Sequence, residues 1–578
     1  QNINENRVQR YLLEDGDLTL VDEKPEANMG TASTLADFLS WGVSNYPSER
    51  MGLILWDHGS GSINGVCFDE QYDYDSLTLG ELDHALNQVY DQMTDRFEFI
   101  GFDACLMSTL ETANVLTPYA RYMYASQEME PGSGWDYTSL LNNLAANPDQ
   151  DGAQLGEKVC REYYDHCADY GFGSQRSATF SIIDLSKIDD VLISMNEAFR
   201  VVYEQGDLGD VTRAVLEADS FGGNSVSEGY SNMLDLGNML DQLSGYGQEV
   251  RDASQTLQSC VLYTMNGRLH KNASGLSVYY PVSIQGSEEL KIFSQICPSN
   301  YYYALIDKIA YGAENGSAAD YDNSTLLSDM ADINEWLGEE SGFTGDVSTN
   351  AGEFADIEIG QMGVSDIYFD EDGIYTVSFD NMDELAYACC SVGMDDDADG
   401  FFYLGTTEEV IYDIDRNCVT DNFDGLWPCI NDNLLALELV NTTDSCSIYT
   451  CNVLLNDEIE TNLRIEYDWE YDEWSVIGIW DGIDEETGMA SREVYELQEG
   501  DVITPAYYWF SVDDDEDWYY GDDIVVDGDL EITYEYLPEG VYYYCFELHD
   551  IYGNVYYTPF TLQYVDEDGE VWVDGEFY

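Results

Sequence analysis

The sequence predicts an α/β domain followed by an all-β region. Buried-type strands alternate with amphipathic helices in the first part, and short aromatic strands separated by Asp, Gly and Asn turns follow. The charge changes at the same place: residues 1–320 hold 49 acidic and 17 basic side chains, and residues 321–578 hold 66 and 3. The stretch between them, GAENGSAADYDNST at 312–325, is small and polar. We therefore predict domains at 1–311 and 328–578 with a linker at 312–327.

The first domain is expected to contain a central, mostly parallel sheet flanked by helices. Met51–Trp56 and Glu98–Phe102 are apolar runs of the kind that form strands buried on both faces. Between them, Thr78–Met93 has apolar residues at helical spacing, and Thr78 with Glu81 fits a capping box. The same patterns predict helices at Thr34–Ser44, Asp151–Tyr170, Ser186–Tyr203 and Gly247–Cys260, and strands at Tyr122–Ala125 and Thr179–Ile183.

The second region is expected to be an antiparallel sandwich or barrel, either one unit or two in tandem. Its runs are short, aromatic and β-branched, and turn residues separate them, which is typical of such folds. The predicted strands are Ile374–Phe379, Phe401–Leu404, Leu434–Val440, Ile448–Leu454, Leu463–Tyr467, Glu531–Tyr536, Tyr542–Glu547 and Val555–Tyr564.

The net charge of −95 limits the classes of partner. Non-specific binding to nucleic acid or to anionic membranes needs basic patches, so the composition excludes both. Hydrophobic residues at 44% indicate packed cores rather than disorder. The sequence has no apolar run of about 18 residues, so we expect no membrane span. The expected partners are cations, namely divalent metals or peptides with basic residues.

The 13 cysteines are odd in number and have no repeated spacing, so a disulfide scaffold is not expected. Local pairing of Cys446 with Cys451, or of the adjacent Cys389 and Cys390, remains open. Cys160, His166 and Cys167 suggest a metal site. Positions 160 and 167 share one helical face, however, which favours packing.

Two residues with the chemistry of a nucleophile and a base follow neighbouring predicted strands. His58 comes after Met51–Trp56, and Cys105 comes after Glu98–Phe102. If the strands are adjacent, the imidazole and the thiol emerge at the same sheet edge, as covalent catalysis requires. The amides of Gly59 and Cys105 would then form an oxyanion hole. The alternative interpretation is that the cysteine has only a structural role, because most buried cysteines act as small apolar side chains in a core.

Several longer segments resemble one peptidase family. They are LILWDHGSG at Leu53–Gly61, GFDACLMSTLETA at Gly101–Ala113, ASQEMEPGSGWDY at Ala125–Tyr137 and GLSVYYP at Gly275–Pro281. In this order they resemble the clostripain family of cysteine peptidases over roughly residues 7–310. The resemblance implies a caspase-like fold, shared with caspases, gingipains and legumain, and cleavage after Arg or Lys.

The resemblance also implies roles for single residues. Cys105 would be the nucleophile and His58 its acid/base partner. Asp103 matches the acid of the S1 pocket, where a carboxylate pairs with arginine, although it also fits a turn or helix N-cap. Asp136 would be a second S1 acid, and Trp135 would either wall the pocket or simply pack.

Two features depart from the family pattern. Family members are commonly matured by a cut after a basic residue between the histidine and the cysteine. From Gly59 to Ala104 this chain has one basic residue, Arg96, so we expect no such cut. The family's strand and helix before the segment matching Arg7–Leu12 are absent from this sequence. We expect either that this piece was removed or that the sheet lacks an edge strand.

One acidic segment of the second region has the spacing of a calcium-binding loop. Asp395, Asp397 and Asp399 alternate before Gly400 as in calcium loops, although Thr406 stands where an EF-hand has Glu. The segment is therefore either an open calcium loop or a solvated turn. The sequence contains no HExxH motif, so a metallopeptidase is not expected.

Together these patterns predict a secreted cysteine endopeptidase that cleaves after Arg or Lys. The chemistry needs no cofactor, and Ca²⁺ is an optional ligand. The alternative is a catalytically retired peptidase fold that acts as a calcium-loaded extracellular binding or adhesion protein. Residues 321–578 contain Arg416, Arg464 and Arg492 as their only basic side chains. We predict that this depletion protects the protein from its own activity.

Overall fold

The computed structural model describes residues 4–311 and 363–577 with short gaps at 5, 15, 169–171, 207, 284–286, 371–372, 381, 383–384, 397–399, 415, 444, 485–486, 493, 512–515, 529, 551–554, 567–570 and 574. The predicted linker, together with Asp397 and Asp399 of the candidate calcium loop, lies outside the described residues. Within the described part, no helix is long and apolar enough to cross a membrane.

The first region is built on a five-stranded sheet in the order β13-β8-β7-β6-β3. β3 and β6 pair in parallel, as do β6 and β7, whereas β8 is antiparallel to both of its neighbours. The sheet is therefore mixed, and the expectation of a mostly parallel sheet holds for its β3, β6 and β7 side. The strands are β1 (Arg7–Glu14), β2 (Asp17–Pro25), β3 (Gly52–Trp56), β4 (Val66–Asp69), β5 (Asp75–Leu77), β6 (Phe97–Asp103), β7 (Ala120–Ala125), β8 (Thr179–Asp184), β9 (Ser220–Phe221), β10 (Asn224–Ser225), β11 (Gly229–Tyr230), β12 (Met233–Asp235), β13 (Val261–Asn266) and β14 (Ser277–Tyr279).

Helices cover this sheet, and each predicted helix is present. The predicted capping box exists at the start of α3, where Thr78 Oγ1 accepts from the N–H of Glu81 and the Glu81 carboxylate accepts from the N–H of Thr78. The helices are α1 (Ala32–Asn45), α2 (Gly61–Asn64), α3 (Leu79–Tyr90), α4 (Leu110–Leu116), α5 (Tyr137–Ala146), α6 (Gly152–Cys167), α7 (Phe172–Ser177), α8 (Ile188–Gln205), α9 (Leu208–Leu216), α10 (Leu236–Gln242), α11 (Gln248–Cys260), α12 (Ser287–Ile296) and α13 (Asn300–Tyr311).

The second region is all-β, and the pairings between its described strands are antiparallel. β28 pairs with both β24 and β18 and so joins two groups of strands into one large sheet. The strands are β15 (Val364–Phe369), β16 (Tyr375–Phe379), β17 (Leu385–Asp395), β18 (Gly400–Thr407), β19 (Val410–Asp413), β20 (Cys418–Asp421), β21 (Leu426–Ile430), β22 (Asn433–Leu434), β23 (Glu438–Thr442), β24 (Cys446–Leu455), β25 (Ile459–Asp468), β26 (Glu473–Trp480), β27 (Val494–Tyr495), β28 (Val502–Ser511), β29 (Glu516–Tyr520), β30 (Ile524–Val525), β31 (Ile532–Tyr536), β32 (Gly540–Asp550), β33 (Val555–Tyr557), β34 (Thr561–Val565) and β35 (Val571–Val573).

Two strands that the sequence predicts as continuous are interrupted. The prediction Val555–Tyr564 is split into β33 and β34 by Pro559, which has no N–H to donate to a neighbouring strand. The prediction Leu434–Val440 is split because the chain turns away after β22, where the carbonyl of Leu435 accepts from the indole of Trp427 at 2.7 Å.

The two regions share part of their apolar core. Trp480, Ile483 and Ala490 of the β region belong to the same buried cluster as the central sheet. Leu269 of the first region packs in turn with Val440 and neighbouring apolar side chains of the β region. The β region therefore contributes side chains to the interior of the first region.

The thirteen cysteines all lie in described parts of the chain, and each carries a free thiol. Cys446 is therefore not bonded to Cys451, nor Cys389 to Cys390. Cys160 and Cys167 lie on the buried face of α6 in an apolar cluster, as the packing interpretation predicts.

The three arginines of the β region differ sharply in accessibility. The Arg416 side chain is 61% exposed, whereas those of Arg464 and Arg492 are each 7% exposed. We therefore expect limited trypsin digestion to cut the β region first after Arg416, and Arg416→Gln to slow that cut strongly. Mass spectrometry of early fragments tests this. Early fragments that end at Arg464 or Arg492 would contradict it.

Candidate active site

Neighbouring parallel strands bring the candidate catalytic residues to one edge of the sheet. Trp56 of β3 lies opposite Asp103 of β6, so His58 and Cys105 each follow that pair by two residues. β7 pairs with the other side of β6 and leads into Glu130. This edge, at the carboxyl ends of the strands, is where open α/β sheets place their sites.

Cys105 lies in a strained turn directly after β6. The next residue, Leu106, has φ of +63°, a left-handed conformation that costs a non-glycine residue about 1–3 kcal/mol. Cys105 is fully buried, and the N–H of Glu130 lies 3.2 Å from its Sγ. Burial raises the pKa of the Cys105 thiol to about 12. The thiol is therefore protonated at neutral pH in this arrangement, and a thiolate requires that the site open to water or to a base.

The turns that carry His58 and Cys105 touch each other. A Cβ on Gly59 would lie 2.3 Å from the carbonyl oxygen of Cys105, so glycine is required for this approach. The carbonyl of His58 accepts from the N–H of Cys67 at 2.9 Å, which fixes the histidine turn from its other side. The predicted oxyanion hole of the Gly59 and Cys105 amides remains a prediction at this point of contact.

The imidazole of His58 is held by the β region. Its Nδ1 lies 2.9 Å from the carbonyl oxygen of Ala490. Because a carbonyl only accepts hydrogen bonds, Nδ1 carries the hydrogen. In a neutral ring the lone pair is then on Nε2. The histidine is therefore engaged by a residue far along the chain, in the loop between β26 and β27.

Asp103 is the buried acceptor of several donors. Its Oδ2 accepts from the N–H of Trp135 at 3.2 Å and from the hydroxyl of Tyr137 at 2.8 Å. Its Oδ1 accepts from Nη2 of Arg492 at 2.7 Å. A Cβ on Gly134, which has φ of +64°, would lie 2.4 Å from Oδ2. The surroundings thus orient Oδ1 towards a guanidinium group.

Glu130 is a second buried acid near Asp103, and the sequence analysis did not single it out. Its Oε2 accepts from the indole N–H of Trp135 at 3.0 Å. Burial, together with the negative charge of Asp103, raises the pKa of Glu130 well above its usual range. Its only sequence signal was its place in the motif that ends at Tyr137. We call Asp103, Glu130, Trp135 and Tyr137 the arginine site.

The structure places Asp136 outside this site. Its Oδ1 accepts from the N–H of Ser139 at 2.9 Å and its Oδ2 from the Ser139 hydroxyl at 2.6 Å, so it caps α5. Both oxygens of Asp136 thus serve the helix, which favours a capping role over the predicted role of a second S1 acid. Trp135 is buried against Phe180, with ring centroids 5.2 Å apart, and it also donates to both acids of the arginine site.

A second buried charge cluster lies next to the site. His270 sits between Asp219, 2.9 Å from Nδ1, and Glu128, 3.2 Å from Nε2. Burial opposes the charged ring, but the carboxylates of Asp219 and Glu128 outweigh it and hold the pKa of His270 well above its usual value. Glu128 also accepts from the N–H of Gly222. This cluster ties the chain after β7 to the strands that follow α9.

One group of side chains in the β region has the donor types of a metal site. The ligand atoms of Cys389, Glu547 and His549 lie within 4.8 Å of one another. A thiolate, a carboxylate and an imidazole form the ligand set that zinc prefers. Of the predicted calcium ligands, Asp395 ends β17, and Asp397 and Asp399 lie outside the described residues, so that site stays a prediction.

A cysteine and a histidine that follow adjacent strands of an α/β sheet are the arrangement expected of a cysteine peptidase. The model of the clostripain family matches residues 2–317. Because this match covers more than half of the chain, the protein belongs to the clostripain family.

Individual relatives match smaller portions. Clostripain of Hathewaya histolytica is 29% identical over 158 residues, which is 23% of this chain and 29% of that protein. The chain therefore matches less than a third of that relative's length. A secreted C11 cysteine protease of Bacteroides thetaiotaomicron, solved with an irreversible peptide inhibitor, is 18% identical with a TM-score of 0.39 over 52% of this chain and 87% of that one. An inactive zymogen C11 protease of Parabacteroides distasonis is 18% identical with a TM-score of 0.36 over 47% and 77%.

Proposed function

We propose that this protein is a secreted endopeptidase that hydrolyses peptide bonds after Arg or Lys. The observation that carries the proposal is the arginine site, in which Asp103 holds the guanidinium of Arg492 at 2.7 Å. A buried cation is tolerated only when it is paired, so a site of this kind selects basic side chains. The preference implied by the family resemblance agrees with this chemistry. A neighbour described as secreted supports the location.

The proposed reaction is acyl transfer in two steps. Nε2 of His58 takes the proton of the Cys105 thiol, and the thiolate attacks the carbonyl carbon of the residue whose side chain is bound to Asp103. The amides of Gly59 and Cys105 stabilise the oxyanion. His58 protonates the leaving amine as the thioester forms. Water then hydrolyses the thioester and frees the new carboxyl end. Cys105 is buried in the present arrangement, so its surroundings must open before a substrate can reach the thiol and the reaction can begin.

Cys105→Ala is expected to lower the hydrolysis of Arg- and Lys-ended fluorogenic peptides by at least about 1,000-fold, because the nucleophile is lost. Cys545→Ser is the matched control, since this partly exposed thiol lies in the β region. Both substitutions are also compared in an Arg492→Ala background, because Arg492 fills the arginine site. Equal rates for Cys105→Ala and its parent would rule out the peptidase and favour the binding or adhesion protein.

A further inference from the structure

We propose that Thr487–Arg492, here called the resident loop, is a built-in inhibitor whose Arg492 fills the arginine site in place of a substrate arginine. The inference rests on the proposed function, because the site filled is the one proposed to select substrate. The resident loop lies between β26 and β27 of the β region. It reaches Asp103 from 389 residues further along the chain.

The guanidinium of Arg492 is bound as a substrate cation would be. Nη2 donates to Oδ1 of Asp103 at 2.7 Å, and Nη1 donates to the carbonyl of Asp57 at 3.1 Å. Nη2 also lies 3.5 Å from the carbonyl of Pro131. Glu130 contributes a second acid, whose Oε1 has no hydrogen-bond partner among the described residues. The arginine site thus holds Arg492 through the carboxylate of Asp103, and the Arg492 side chain is buried there.

The rest of the resident loop covers the histidine side of the site. The carbonyl of Ala490 accepts from Nδ1 of His58 at 2.9 Å. The carbonyl of Gly488 accepts from the hydroxyl of Ser60 and, at 3.4 Å, from the amide of Asn64. Gly488 has φ of +69°, and a Cβ there would lie 2.4 Å from the Asn64 side chain, so the loop is closely fitted to this surface.

The backbone of the resident loop is held by its own region and not as an extended substrate. The N–H of Ser491 donates to the carbonyl of Gly482 at 3.0 Å, and its carbonyl accepts from the indole of Trp480 at 3.0 Å. Ile483 and Ala490 form an antiparallel bridge, which folds the loop back on itself. His58 therefore contacts the residue two positions before Arg492. It does not contact the peptide bond after Arg492, which is the bond that a protease would cut. This arrangement inhibits and resists cleavage.

Attachment to the same chain makes such an inhibitor effective. A tethered ligand binds in an intramolecular step, so its effective concentration does not fall when the protein is diluted. The structure therefore assigns control of access to the β region.

The test compares full-length wild type, Arg492→Ala and the matched control Arg416→Ala, which removes an exposed arginine of the same region. We expect kcat/KM for a short Arg-ended peptide to rise at least tenfold in Arg492→Ala and to stay unchanged in Arg416→Ala. A synthetic TGMASR peptide should inhibit Arg492→Ala, and TGMASA should not. Hydrolysis by Arg492→Ala at or below the wild-type rate, together with unchanged alkylation of Cys105, would overturn the proposal.

A readout that does not depend on the P1 preference separates the two proposals. Alkylation of Cys105 by iodoacetamide, followed by peptide mapping, should be at least fivefold faster in Arg492→Ala. Gly488→Ala, which disturbs the loop without touching the arginine site, should shift alkylation in the same direction and guards against misfolding of the first variant. Faster alkylation without any hydrolysis would sustain the resident inhibitor and reject the Arg/Lys peptidase. Unchanged alkylation in both variants would overturn the inhibitor.

Discussion

Asp103→Asn in an Arg492→Ala background is expected to abolish most hydrolysis of arginyl peptides while preserving the fold. The amide oxygen can still accept from Trp135 and Tyr137, as Oδ2 does now. The amide nitrogen then replaces Oδ1 and presents a donor to the incoming guanidinium. Loss of one partner of a buried charge pair costs about 2–5 kcal/mol, so kcat/KM should fall about 30- to 5,000-fold.

Asp136→Asn is the matched control for this prediction. It makes the same chemical change close by in sequence, but on a carboxylate that caps α5 through Ser139. We expect it to keep kcat/KM within a few-fold and to lose about 1 kcal/mol of stability at most. The measurement is kcat/KM for peptides with Arg, Lys and Leu before the scissile bond. An equal loss in both variants, or an unchanged Arg preference in Asp103→Asn, would contradict the role of Asp103.

The catalytic side of the site was predictable because its signals are local. His58 and Cys105 each follow an apolar run that reads as a buried strand, and parallel pairing of β3 with β6 is the normal outcome of strand, helix, strand. The capping box at Thr78 was predictable for the same reason. These features depend on residues within a few positions of one another.

The remainder of the site depends on contacts that no local pattern encodes. In the sequence, Arg492 is one of three isolated arginines in an acidic region. In the structure it is buried against Asp103. Glu130 looked like one of many glutamates, and only the fold brings it beside Asp103. In the sequence, Asp136 fits a pocket as well as a helix cap because it lies next to the motif tryptophan, and only the fold shows that both of its oxygens contact Ser139. The role of each of these residues depends on whether segments distant in sequence bury it, and residue type alone does not reveal this.

The arginine depletion of the β region has a more specific meaning in the structure. Of its three arginines, Arg464 and Arg492 both pair with buried acids of the first region. In the reverse direction, Arg176 and Arg268 of the first region pair with Glu466 of the β region. The few basic side chains thus join two strongly acidic regions that would otherwise repel each other. Protection from self-cleavage stays a prediction, and the burial of Arg464 and Arg492 adds a second physical basis for it besides the scarcity of basic residues.

Arg464→Ala is expected to destabilise the protein by about 3–5 kcal/mol, because it leaves a buried carboxylate without its partner. Nε and Nη2 of Arg464 donate to the two oxygens of Glu228 at 2.8 and 2.6 Å, and the guanidinium stacks 4.2 Å from the Trp480 ring. The backbone of Glu228 also accepts from the N–H of Ile483 at 2.7 Å, next to the resident loop. The variant should therefore melt earlier and also hydrolyse Arg-ended peptides faster.

Calorimetry measures the loss of stability of Arg464→Ala. Arg416→Ala is the control, because Arg416 is an exposed arginine of the same region. The double variant Arg464→Met with Glu228→Gln should recover much of the lost stability, because it removes both buried charges together. If the resident loop is held by this ion pair, the double variant should recover stability more fully than it recovers inhibition, since Met cannot restore the bidentate contact. Equal melting of Arg464→Ala and Arg416→Ala would show instead that the two regions are held together by their shared apolar core.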